Sequence, residues 1–156
     1  MNRYLALSML ILGTVSCAHS QLSQPQIGAL LPRDARVDGA LEMESSASMQ
    51  PRYVLARDHM EYIVCTDRQR HLTYIRPTGV AFRTPEGIGV GDSLEHVLAV
   101  SASPVIREPG WAFVVELPSG WHAAFTQGSW ATGSDPVTEG ENVLPGATVK
   151  WLFQRR

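Results

Sequence analysis

From Trp111 to Phe125 apolar residues recur at every second position, and a turn interrupts the alternation halfway. Trp111, Phe113, Val115 and Leu117 alternate with Ala112, Val114 and Glu116. Trp121, Ala123 and Phe125 alternate with His122, Ala124 and Thr126. A period of two is strand geometry, because successive side chains point to opposite faces of a sheet. Between the two runs, Leu117-Pro118-Ser119-Gly120 places proline and glycine where a type I turn takes them. The segment predicts an antiparallel hairpin with its apolar set buried and a mixed opposite face. A lone hairpin is marginal in water, so other elements must cover it.

Those elements are legible in part. Met60, Tyr62 and Val64 share one strand face, with Glu61 and Ile63 on the other. Leu72 to Ile75 reads as the next strand, after a polar turn at Asp67 to Gln69, and Val149, Trp151 and Phe153 make a last one. Asp92 to about Val100 reads as a helix. Asp92 is its expected N-cap, and Glu95, three residues on, completes a capping box. Leu94, Val97 and Leu98 fall on one face, and Ser103-Pro104 ends the segment. The expected fold class is α+β: a small antiparallel sheet of four or five strands with at least one helix packed on one face.

The first residues follow a different grammar. Asn2 and Arg3 precede an apolar run from Leu5 to Leu12, and small residues Gly13 to Ala18 follow. This reads as a signal peptide over residues 1–18, too short to span a bilayer as an anchor. Two cleavage sites compete. Thr14-Val15-Ser16-Cys17 resembles the bacterial lipoprotein box, which would make Cys17 the lipidated first residue. Ordinary cleavage after Ala18 is the other. The cysteine placed directly after the apolar run favours lipidation. That implies an outer-membrane protein facing the periplasm; the other cut implies a soluble periplasmic one. Residues 19–50, rich in serine and glutamine, read as a flexible tether, and 51–156 as a single α+β domain.

Composition excludes some chemistries. The formal net charge is -2 and Lys150 is the one lysine, so no basic field points to nucleic acid. Arg52, Arg57, Arg68, Arg70, Arg76 and Arg83 read as a solvated sheet face. The histidines (His19, His59, His71, His96 and His122) lack zinc-ligand spacing, so no metal or cofactor is expected. Cys65 lies within a strand pattern and reads as a buried structural thiol. No Gly-x-Ser-x-Gly elbow and no carboxylate pair emerge, so no catalytic residue is expected. Trp111 and Trp121 fall in core register. Trp130 sits in a long Gly/Pro-rich segment without register, which makes it the candidate contact for a protein partner.

Gly87-Ile88-Gly89-Val90-Gly91 precedes the helix, where a phosphate loop would lie. Asp92 places a negative charge where the phosphate would sit, and no P-loop lysine follows, so a tight helix-entry turn is the better reading. Residues 84–97, Thr-Pro-Glu-Gly-Ile-Gly-Val-Gly-Asp-Ser-Leu-Glu-His-Val, resemble the T-x-x-G-I-x-V-G-D-S-x-x-x-V signature of small envelope lipoproteins. The similarity is to the BamE/SmpA-like and β-lactamase-inhibitor-protein-like modules and extends over about residues 72–126. It implies a helix-containing unit on a small sheet and a protein that binds another protein without catalysis. Gly87, Gly89, Gly91, Asp92 and Glu95 would then serve folding. The expected function is a non-catalytic exported lipoprotein with an unknown envelope protein as partner, as an assembly accessory, inhibitor or immunity-type factor. A small periplasmic enzyme using Cys65 or a histidine, and a purely structural envelope component, are the competing classes.

Overall fold

A computed structural model describes residues 24–101, 103–126, 138–139, 142–143 and 147–156. The strands are β1 (Arg36–Ser45), β2 (Ser48–Arg57), β3 (Met60–Thr66), β4 (Leu72–Pro77), β5 (Ile106–Glu108), β6 (Ala112–Glu116), β7 (His122–Thr126), β8 (Thr138–Glu139), β9 (Asn142–Val143) and β10 (Trp151–Arg155). The helix α1 is Leu94–Val100. Eight strands form one sheet in the order β1-β2-β3-β4-β10-β7-β6-β5, and β8 and β9 pair separately. Every neighbouring pair is antiparallel.

The architecture is mostly β, which corrects the α+β expectation of four or five strands. Eight strands join one sheet, and among the described residues a single helix of 7 residues packs on it. The missed strands have physical reasons. β1 is an outermost strand with charged residues and Gly39, so it lacks the one-sided apolar alternation of a half-buried strand. β2 contains Pro51, which suits a strand poorly because it cannot donate to a ladder. β5 has only 3 residues. From residue 36 onward, therefore, the segment read as a tether is part of the sheet.

The turn between β2 and β3 is a two-residue hairpin. Asp58 (φ 49°) and His59 (φ 63°) both lie in the left-handed region, as a type I′ turn requires, and Arg57 faces Met60 across it. His59 thus sits in a turn.

The last strand completes the sheet. β10 pairs with β7 through Trp151, Leu152 and Phe153, but with β4 only through Gln154 and Arg155. It therefore joins the β1–β4 meander to the β5–β7 meander at one end and leaves β4 unpaired to it at the other. Pro77 at the end of β4 has no N–H with which to continue the ladder.

Both sheet faces are buried. On one, Val64, Ile75, Phe113, Val115, Trp121 and Phe125 pack with Ile88, Leu94 and Val97 of α1 and its entry loop. On the other, Cys65, Tyr74, Trp111, Ala112, Val114, Ala124 and Phe153 form a second core. The β6–β7 hairpin thus buries apolar residues on both sides: its second face carries buried Ala112, Val114 and Ala124 beside exposed Glu116 and half-buried His122. A flat sheet would hold β1 and β10, four places apart, about 19 Å from each other. Yet Arg155 of β10 donates to the Glu44 carbonyl of β1 at 3.2 Å and to the Glu108 carboxylate of β5 at 3.1 Å. The sheet therefore curls, and both outer strands come over its second face toward β10.

Candidate functional site

The curl creates the site. Where β10 parts from β4, a cavity of about 420 Å³ opens beneath the β1 arm. Tyr74 and Arg76 of β4 line it with Glu42 and Met43 of β1. Trp111, Lys150 and Trp151 complete the wall.

Glu42 and Arg76 hold the arm down. The Arg76 guanidinium donates from Nε to Oε1 at 2.7 Å and from Nη2 to Oε2 at 3.1 Å, the two-point geometry that guanidinium and carboxylate favour. Burial opposes the Arg76 charge, but the bonds and charge of Glu42 outweigh it, and its pKa is raised. Arg52 approaches the same carboxylate at 3.7 Å. Nearby, Glu44 accepts from the Thr73 hydroxyl at 2.8 Å.

The floor is aromatic. Tyr74 stacks on Phe153 with centroids 5.6 Å apart, and His122 stacks on the same ring at 4.8 Å. Three adjacent strands, β4, β10 and β7, thus supply a continuous ladder of rings. Trp111 meets Trp151 edge-to-face at 6.2 Å, and the Arg155 guanidinium lies 5.2 Å from the Trp111 ring. Burial, followed by the charge of Glu42, raises the Tyr74 pKa and keeps the phenol neutral. Its hydroxyl is buried and has no hydrogen-bond partner among the described residues. His122 is shifted down, first by burial and then by the Arg155 charge, so its imidazole resists protonation.

The helix-entry motif lies on the opposite face and is spent on folding. Gly87 N–H donates to the Thr84 carbonyl, Ile88 N–H to the Thr84 hydroxyl and Gly89 N–H to the Asp92 carboxylate. Gly91 N–H reaches the Val149 carbonyl and Leu94 N–H that of Ala147. The loop amides that would bind a phosphate are therefore engaged. Gly87 (φ 86°) and Gly91 (φ 93°) occupy conformations that glycine alone adopts cheaply. Gly89 has another role: a Cβ there would fall 1.6 Å from Nη1 of Arg83. The N-cap is Ser93, whose hydroxyl accepts from His96 N–H at 3.2 Å, which corrects the assignment to Asp92. Asp92 instead closes the preceding turn, and Glu95 sits one residue too early for a capping box with Ser93.

Cys65 is fully buried and not disulfide-bonded. Burial first, then the charges of Glu44 and Glu42, push its thiol pKa up. Among the described residues, no group of three or more His, Cys, Asp or Glu side chains is placed to hold a metal ion. Cys17 and Trp130 lie outside the described residues. Sequence reasoning did not single out Glu42 or Tyr74 and read Arg76 as part of a solvated face, because Glu42 of β1 meets the two β4 residues only through the curl. Lys150 beside Trp151 was the available signal: the chain's one lysine abuts an aromatic strand.

No family model, curated protein or solved structure matches the chain.

Proposed function

We propose that the protein is a non-catalytic lipoprotein of the bacterial envelope, held to a membrane by acyl chains on Cys17, that binds another envelope protein. An assembly accessory, an inhibitor and an immunity-type factor all fit this description. The observation that supports protein binding is the surface of β1. It is one of the two outermost strands, and Val37 and Leu41 on it are 71% and 56% exposed, with Met49 of β2 at 55%. Soluble proteins usually blunt such edges with charge and bulges. Here the bulge at Gly39 and the charges of Arg36 and Asp38 guard the first half. The Leu41 and Met49 end carries exposed aliphatic surface instead. An extended partner segment with aliphatic side chains suits it, adding as a further strand through main-chain hydrogen bonds.

A catalytic reading finds less support. The one described cysteine is buried and held as a neutral thiol, and Glu42 and Glu108 are engaged by arginines. Site-specific photocrosslinking in cells tests the proposal. A crosslinker at Leu41 should trap a discrete heterologous protein, and one at Ala99 on α1 should not. An adduct with a second copy of the chain, or identical adducts from both positions, would overturn the partner reading. A fatty-acid probe should label the wild type and not Cys17→Ala. An unlabelled wild type beginning at His19 would sink the lipoprotein part alone.

A further inference from the structure

We propose that the cavity beneath the β1 arm is a binding site for a small aromatic acid, a flat ring carrying a carboxylate or similar anion. This does not rest on the protein-binding reading, which concerns the outer surface of β1.

The unpartnered Tyr74 hydroxyl is the first observation. Phenylalanine would stack on Phe153 equally well, and burying a hydroxyl without a partner costs stability. The hydroxyl lies beneath the cavity floor, closed off in this structure, and a ligand acceptor meets it only as the lining side chains part. The walls set the ligand's shape. Trp111 and Trp151, edge-to-face, stand with Met43 around the opening and favour a flat apolar body. The volume of about 420 Å³ falls in the range of small-molecule sites.

Charge decides the sign. Glu42 is consumed by Arg76. Lys150, at the rim, is bonded to the Thr148 hydroxyl at 3.3 Å and has no carboxylate among its described hydrogen bonds. Among the described lining residues, the cations Arg76 and Lys150 thus outnumber the one carboxylate, Glu42. Aromatic boxes also suit quaternary ammonium ions, but here Arg155 already lies over Trp111 and Lys150 would repel a second cation.

Calorimetry on the purified protein tests this with three probes: 2-naphthoate, 2-naphthylmethanol and phenyltrimethylammonium. The naphthoate should bind saturably, the neutral alcohol about tenfold more weakly or less, and the cation not at all. Tyr74→Phe should weaken naphthoate binding about tenfold while the melting temperature holds or rises. Lys150→Gln should abolish the preference for acid over alcohol. Absence of naphthoate binding, equal binding of the cation, or Tyr74→Phe binding like wild type would each overturn the proposal. A lowered melting temperature in Tyr74→Phe would do so too, because the hydroxyl would then belong to the fold.

Discussion

Glu42 of β1 and Arg76 of β4 form a two-point ion pair across three places in the strand order, a separation of about 14 Å in a flat sheet. The pair exists because the sheet curls, and it helps to hold the curl. Glu42→Gln should cost about 1–3 kcal/mol, because it leaves the half-buried guanidinium without its counter-charge. Arg76→Met should cost less, since Arg52 still approaches the Glu42 carboxylate. Urea denaturation of the singles and the double should show a double mutant less damaged than the sum. Strict additivity would mean that the two residues do not act on one another.

The three glycines of the helix-entry loop should respond differently to alanine. Gly87→Ala and Gly91→Ala force a side chain into positive φ, at about 1 kcal/mol or more each. Gly89→Ala has no such strain. It displaces the end of Arg83, which donates to the Val80 and Phe82 carbonyls, so the loss is confined to those surface bonds. Thermal melts should rank Gly89→Ala as the mildest.

Helix capping assigns the next pair. Ser93→Ala should cost about 1 kcal/mol as the loss of an N-cap. Asp92→Ala removes the acceptor of Gly89 N–H and should also destabilise. Added phosphate should leave both melting temperatures unchanged. A phosphate-dependent rise, larger in Asp92→Asn, would show that the loop binds anions after all.

Acidification should weaken the fold in two windows. His122 has a depressed pKa, so the unfolded chain protonates first, and stability falls as pH drops below the ordinary histidine value of about 6.5. His122→Phe should flatten that part of the profile. Glu86 is one lower-pH contributor, beside Asp34, Asp38 and Asp67, whose carboxyls are also held below the ordinary range. Burial raises the Glu86 pKa, but hydrogen bonds from the Ser119 hydroxyl, its own amide, the Thr84 hydroxyl and the Ser119 amide together outweigh it, and the net shift is downward. The carboxylate accepts from Ser119 N at 2.6 Å and Oγ at 2.9 Å and clasps the entry loop to the β6–β7 turn. That contribution is present above the unfolded carboxylate value of about 4.3 and is lost as pH falls through the depressed folded value. Glu86→Gln should shrink the lower step, to which Asp34, Asp38 and Asp67 also contribute, and leave the upper one.

Cys65 should react with thiol reagents no faster than the protein unfolds, because its thiol is buried and its pKa is raised. Labelling of the folded protein within seconds at neutral pH would contradict this and restore the case for a cysteine enzyme.

Local sequence was enough to determine the strands that bury a face. The β6–β7 hairpin, β3, β4 and β10 advertise themselves by alternation, and Gly87 and Gly91 announce an entry turn, because each depends on neighbours in the chain. Tertiary structure alone decided the rest. β1 and β2 gain their place by pairing with strands already buried, so their own patterns carry charge and proline and not a periodic apolar face. The choice between Asp92 and Ser93 as cap turned on which backbone N–H each oxygen meets, a matter of one residue that spacing cannot resolve. The cavity is the clearest case. Glu42, Tyr74, Arg76, Trp111 and Lys150 are spread over more than a hundred residues of chain. They meet because β10 inserts between β4 and β7 and the twisted sheet curls around it, and no local interaction encodes that meeting.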